Sequence, residues 1–298
     1  MRQTPVEPWE GAWLKLEHLQ HTGSFKFRGA ANRIARLTEA QAAAGIVAAS
    51  NGNHGMGVAA AARARGVAAE VFVSSMVSET KARRIESYGA RLQVAGEDPL
   101  SAELAARKAA EESGRVFISP YNDLDVVAGQ GTIAVELCRR LPEIDAVFVS
   151  VGGGGLIGGI GAYFKTVSPN TEVVGCWPEH SPVMLECMRA GRIMEVPEQP
   201  TISESTAGGL EPGTVTLDIC RQVVSRSVVV SETEILVAMR RLLETEHWVV
   251  EGAAGVALAA WCKERDRYRG KTVVVVICGR NLSPEALGLL TGPRVVRI

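Results

Sequence analysis

The stretch DAVFVSVGGGGLIGGIGAYF, residues 145–164, decides the fold. Its first part, AVFVSV, is apolar at nearly every position instead of alternating, so it reads as a strand covered on both faces, as in a parallel sheet flanked by helices. Four glycines then remove every Cβ from the turn, and LIGGIGAYF resumes with apolar residues at helical spacing. Strand, tight turn and helix form the repeating unit of an α/β protein. Working outward, similar apolar runs occur at GIVAAS (45–50), AEVFVS (69–74), ARLQVA (90–95), EVVGCW (172–177), SVVVS (227–231) and TVVVVICG (272–279). Helix-patterned segments such as SAELAARKAAEESG and TEILVAMRRLLETEHW separate them. The chain is therefore expected to be α/β, with two domains, each an open, mostly parallel twisted sheet covered by helices. The strands between about 45 and 95 share short, Ala-rich helices, while the later strands carry most of the apolar bulk. That division predicts a small domain at 48–124 and a large one built from 1–47 and 125–298.

Composition narrows the partner. With 22% charged residues and a formal net charge of -1, no overall field steers the chain toward nucleic acid or an anionic membrane. A small-molecule partner is expected instead. Six cysteines lie in apolar runs with no CxxC pair, which suits reduced thiols in a cytoplasmic protein. The start, MRQTPVEPWEG, has no charged head leading into an apolar core, and no window holds 18 uninterrupted apolar residues.

Four places carry chemistry. The glycine turn Gly152–Gly155, opening a helix after a strand, can aim several backbone N–H groups at one anion, with the helix dipole adding positive charge. It reads as a phosphate cradle. The same turn contains GxGxxG at Gly153, Gly155 and Gly158, with Glu172 or Glu179 as a possible ribose acid, so a nicotinamide site is a second reading. Close packing of a helix on its strand is a third. ASNGNHGMG (49–57) places Ser50, Asn51, Asn53 and His54 around Gly52 where a strand hands over to a helix. That arrangement suits a carboxylate, although Ser and Asn also cap ordinary helices. Cys278 stands at the carboxyl end of VVVVIC, where open α/β sheets bind ligands; a buried structural thiol is the alternative. Finally, TGSFKFRGA (22–30) sets Lys26 between Phe25 and Phe27 with glycines on both sides, an environment that favours a neutral, nucleophilic amine. An amine, a phosphate cradle, a carboxylate loop and a thiol at a strand end together describe pyridoxal phosphate enzymology better than hydride transfer.

TGSFKFRGA, SNGNHG, AGQGT (128–132), SVGGGG and CGRN occur in this order over nearly the whole chain, with EGAAG near Glu251 in support. In these motifs the chain resembles the fold-type II pyridoxal phosphate enzymes, tryptophan synthase β-like in fold, and within them the serine/threonine dehydratases with serine racemase. The resemblance implies that Lys26 forms an imine with the cofactor aldehyde, that Phe25 lies against the pyridine ring and that Asn53 bonds its 3-oxygen. It implies that Gly152, Gly153, Gly154, Gly155 and the Leu156 amide hold the phosphate, and that Ser50, Asn51, Gly52 and His54 bind the substrate carboxylate. Cys278 falls where the family places a neutral partner for the pyridine nitrogen, which makes the ring a weaker electron sink. Arg28 reads as a structural arginine on the helix that Lys26 opens.

The implied activity is β-elimination of a hydroxy amino acid such as L-threonine or L-serine to a 2-keto acid and ammonia, in a homodimer. Racemisation or β-replacement is the alternative, and a nicotinamide-dependent oxidoreductase the remote one. Racemases of this kind carry a serine where Asn51 stands, and an amide cannot donate a proton usefully at neutral pH. At the family's divalent-cation position the chain reads GCWPEHSPVM (175–184), with Trp177, Val183 and Met184 in place of oxygen ligands, so no family-type metal site is expected. No C-terminal effector domain of the kind biosynthetic relatives carry is expected within these 298 residues. TISESTAGGLEPGTVTLD (201–218) is expected to wall the substrate side of the large domain.

Overall fold

A computed structural model describes residues 1–292. Among these residues, ten strands form two sheets. They are β1 (Val6–Trp9), β2 (Ala12–Lys15), β3 (Ile46–Ala49), β4 (Ala69–Val73), β5 (Arg91–Val94), β6 (Val116–Phe117), β7 (Ala146–Ser150), β8 (Glu172–Pro178), β9 (Arg226–Val230) and β10 (Val273–Val276). The larger sheet runs β1-β2-β10-β7-β8-β9 and the smaller β5-β4-β3-β6. Every pairing is parallel except that of β1 with β2. The α/β reading and its seven apolar strands are thus observed.

Three strands escaped the sequence reading. β1 and β2 form a hairpin whose turn, Glu10-Gly11, has positive φ at both residues (46° and 84°). A two-residue turn ending in glycine between VEPW and AWLK was the available signal, obscured by Pro8, which an edge strand tolerates. β6 is only two residues long.

Burial in the central strands is continuous, not alternating. β7 and β10 are buried at every position, because helices cover both faces of the large sheet. Its core joins Leu14, Phe148, Val174, Val275 and Trp261. The small sheet packs Ile46 and Val71 with Met56 and Ile85 on one face, and Val47 and Phe72 with Ala106 and Ala110 on the other. One sequence boundary needs correction. The small sheet begins at Ile46, so a division between 47 and 48 would cut β3. The helix Lys26–Ala35 also lends Phe27, Ala30 and Ile34 to the small-sheet core.

In both sheets the carboxyl ends of the strands deliver the marked loops. β7 and β10 run side by side, pairing Val274 with Val147, so the glycine turn after β7 and Cys278 after β10 emerge on the same edge of the large sheet. β3 delivers Ser50–Asn53 from the small one. Ligand-bearing loops belong at this edge of an open parallel sheet.

Candidate active site

One cavity is lined by Phe25, Lys26, Asn53, Gly152–Gly155, Leu156 and Cys278. Every residue assigned to the cofactor from the sequence therefore meets in one place, brought from four separate segments. Lys26 is the first residue of the helix Lys26–Ala35, and the preceding turn is held against the end of β10 by Phe25 N–H donating to the Cys278 carbonyl at 3.0 Å. The Lys26 amine donates to the Pro120 carbonyl at 2.9 Å and sits 5.2 Å from the centroid of the Phe25 ring. Burial lowers its pKa from 10.5 to about 8, against the opposing pull of Cys278 and Glu251. A buried amine with one neutral acceptor and no salt-bridge partner is one that deprotonates readily.

The helix Gly155–Val167 begins at Gly154, whose φ of +81° suits only glycine. Among the described residues, the backbone N–H groups of Gly152 through Ile157 have no acceptor in the protein, and the first bond of the helix runs from Gly158 N–H to the Gly154 carbonyl at 2.8 Å. Orphaned donors converging at a helix N-terminus match an anion such as a phosphate. Close packing also contributes. A Cβ on Gly153 would fall 2.5 Å from the Tyr121 ring, so the loop at Tyr121 also requires glycine in this turn. Of the two candidate ribose acids, Glu172 stands at the opening of β8 and accepts from the Tyr268 hydroxyl at 2.7 Å, and Glu179, exposed just past β8, does not line the cavity.

Cys278 is buried, and burial raises its thiol well above the usual range, with the negative Glu251 adding to the effect. It is therefore a neutral group at the cavity wall. Asn53 donates through Nδ2 to both carboxylate oxygens of Glu251 at 2.9 Å. Burial in turn raises the Glu251 carboxyl, and the hydrogen bond from Asn53 only partly offsets this.

Ser50, Asn51, Gly52 and His54 do not line the cavity. They lie on the loop and first turn beside Asn53, which does. The Ser50 hydroxyl accepts from Gly52 N–H at 3.1 Å, and the Asn51 carboxamide exchanges two bonds with Ser74, at 2.7 and 2.9 Å. The His54 ring donates from Nε2 to the Ile118 carbonyl at 2.8 Å. Burial, then the nearby Lys26 charge, lowers its pKa to about 3, so the ring is neutral. What this loop offers an anion is its backbone. Among the described residues the N–H groups of Asn53, His54 and Gly55, opening the helix Asn53–Arg65, have no protein acceptor.

Arg28 is structural, as its place in the sequence suggested. It is fully buried and bonds Glu17 at 2.7 Å and Glu136 at 2.7 Å, in a cluster that also holds Lys15 and Thr4. Seven residues that line the cavity are not among the sequence candidates: Tyr121, Ser150, Ile157, Ser205, Thr206, Glu251 and Ala253, of which Ser205 and Thr206 lie in the segment 201–218 expected to wall the substrate side. Glu251 opens EGAAG, and its signal was an acid at a helix start; as the N-cap of Gly252–Glu264 it makes no capping bond and turns into the cavity instead. Among the described residues, no group of three or more His, Cys, Asp or Glu side chains is placed to hold a metal ion. No helix there is long and apolar enough to cross a membrane.

A buried amine, an anion cradle and a neutral thiol in one cavity fit pyridoxal phosphate. The pyridoxal-phosphate dependent enzyme family matches residues 1–279, and this chain belongs to that family. It is 39% identical to the L-threonine ammonia-lyase of Thermotoga maritima over 285 residues, 96% of this chain and 71% of the relative. The processed form of threonine deaminase isoform 2 from Solanum lycopersicum superposes with a TM-score of 0.92 at 28% identity, covering 97% of this chain and 87% of that one. Maize serine racemase superposes with a TM-score of 0.90 at 29% identity, covering 96% and 90%.

Proposed function

We propose that this protein is an ammonia-lyase that converts a hydroxy amino acid, L-threonine or L-serine, to a 2-keto acid and ammonia. The observation that carries this reading is the sharing of one cavity by Lys26, whose amine burial brings toward neutrality, and Cys278, whose thiol burial keeps neutral. Phe25, Lys26, Asn53, Gly152–Gly155, Leu156 and Cys278 hold the cofactor. When bound, pyridoxal phosphate supplies an electron sink that acidifies the Cα proton of an amino acid joined to it. Lys26 Nζ is the base that takes this proton, since an amine with a pKa of about 8 is neutral in a useful fraction of molecules near neutral pH. Cys278 presents a neutral wall where a carboxylate would strengthen the sink. Carbanionic charge is held less firmly, which favours prompt loss of the β-hydroxyl over chemistry that needs a long-lived carbanion.

The loop Ser50–His54 takes the substrate carboxylate through the free N–H groups at the start of the helix Asn53–Arg65, the positive end of its dipole. The small-sheet body that carries this loop, from Ile46 to Phe117, is the mobile domain and closes over the substrate. All six cysteines are unpaired, which suits the reducing cytoplasm; a homodimer is the assembly we propose there.

The Asn51 carboxamide, tied to Ser74, neither gives nor takes a proton at neutral pH, so the chain is a lyase rather than a racemase. The test incubates the pyridoxal phosphate-loaded protein with L-threonine and L-serine and measures 2-keto acid and ammonia, which should appear in equal amounts. Neither product from either substrate, or a D-amino acid as the main product, refutes the reading.

A further inference from the structure

The Asn53 carboxamide is held from both ends. Its Nδ2 faces the Glu251 carboxylate at 2.9 Å to each oxygen, and its Oδ1 accepts from Asn281 Nδ2. Asn281 is itself fixed: its Nδ2 also donates to the Thr22 carbonyl at 3.0 Å, its Oδ1 accepts from Arg84 at 2.6 Å, and its backbone N–H donates to Glu251 at 3.0 Å. Ser205 adds a hydrogen bond to Glu251. An acceptor at one end and a donor at the other permit a single orientation of an amide that would otherwise flip at little cost. The backbone makes room for this. A Cβ on Gly279 would stand 2.6 Å from the Glu251 carboxylate. A buried acid kept in a space cleared by a glycine, with its oxygens spent on Asn53, Ser205 and an Asn281 amide, is an arrangement that helix capping does not require.

We propose that Glu251 and Asn281 are positioning residues, which lock the Asn53 carboxamide with its remaining Nδ2 proton toward the cofactor's ring oxygen and thereby set the electronic state of the bound cofactor. The bonds run Arg84, Asn281, Asn53, Glu251, from the helix Glu79–Ser87 on the small sheet to the cavity on the large one. The cofactor's environment is therefore coupled to how the small-sheet body sits. This inference rests on the assignment of Asn53 to the ring oxygen made above.

Two near-isosteric variants, Glu251→Gln and Asn281→Asp, each put like against like around Asn53. The readouts are the visible absorbance maximum of the bound cofactor, its dissociation constant, and kcat and KM for L-threonine, with folding checked by far-UV circular dichroism. Each variant should move the absorbance maximum, raise the cofactor dissociation constant about 10-fold and lower kcat about 10-fold, as loss of a hydrogen bond to a charged group does, while KM changes by less than about 3-fold. Asn53→Ala is the control. If it shifts the absorbance while both folded variants keep the wild-type maximum and kcat, the positioning role is overturned and the Asn53 assignment stands. If Asn53→Ala leaves the absorbance unchanged, that assignment fails and the inference with it. Should both buried variants fail to fold, Arg84→Met at the outer end of the bonds decides: a displaced maximum supports the role and an unchanged one overturns it.

Discussion

Two lysines have enclosed amines in this protein, and the structure treats them oppositely. Lys15 is fully enclosed, and its amine meets the Thr4 carbonyl at 2.8 Å and the Glu136 carboxylate. Lys26 meets the Pro120 carbonyl at 2.9 Å and the face of an aromatic ring. Burial lowers both pKa values, but at Lys15 hydrogen bonding to Glu136 and the charges of Glu17 and Glu136 resist it. The first lysine belongs to a balanced set of two cations and two carboxylates with Arg28, Glu17 and Glu136. Among the described residues, the second has no salt bridge. A charge that serves the fold is paired, and an amine that serves chemistry is kept short of partners so that it can lose its proton.

The sharpest test of this contrast removes the chemical lysine. Lys26→Ala should lower keto-acid formation by about 10⁴-fold or more and abolish the visible absorbance of the lysine-linked cofactor, since the variant loses both its covalent attachment and its base. Its apo form should melt no lower than the wild type. Near-normal turnover, or colour surviving the change, would end the assignment of Lys26.

Next in size is the paired set. Arg28→Met strands the buried Glu17 carboxylate and should cost about 3–5 kcal/mol of stability, read from urea unfolding of the apo protein, with Lys15→Met costing less because Glu136 keeps its pair with Arg28. The cluster holds down the helix that Lys26 opens, from Arg28 to Glu17 on one side and to Glu136 on the helix Leu124–Arg140 on the other. A cost below about 1 kcal/mol, the value of an exposed ion pair, would remove the contrast between the two lysines.

These regions also differ in how far the sequence exposes them. Lys26 announced itself because its environment is local: rings and glycines within four residues on either side. Arg28 could be read as structural, but its partners could not, since Glu136 lies 108 residues away and only the packing of two helices brings it near. Lys15 was invisible for the same reason, sitting in AWLKLEH with nothing nearby to mark it. The glycine turn was legible because strand, turn and helix are contiguous. Glu251 was not, because its role depends on Asn53 and Asn281, neighbours supplied by a different sheet and a different loop. Long apolar strands show in sequence as runs, whereas the β1–β2 hairpin depends on pairing with β10 for its place and has only a two-residue turn to signal it. In the same way, the side chains of Asn51 and His54 look free in SNGNHG, and only the fold shows that Ser74 and Ile118 occupy them.

The smallest effect is the most specific to the contrast. With a pKa of about 8 in the folded apo protein and 10.5 when unfolded, Lys26 is protonated in both states below pH 8, so the folded state bears the full cost of a buried charge there. Between pH 8 and 10.5 only the unfolded chain keeps the proton, and stability attributable to this group rises with pH; above 10.5 neither state holds it and the cost is gone. Lys26→Met, which has no such charge, should therefore exceed the wild type in stability by about 3 kcal/mol at pH 7, and the gap should close at about 1.4 kcal/mol per pH unit across that window. Lys15→Met should move stability the other way at pH 7, because it breaks a pair instead of relieving an unpaired charge. Urea unfolding of the apo proteins at pH 7, 9 and 10 measures both differences. A Lys26→Met gap that stays constant across the window would mean that the Lys26 amine titrates as an ordinary lysine, and that the enclosure by Phe25 and Pro120 does not tune it.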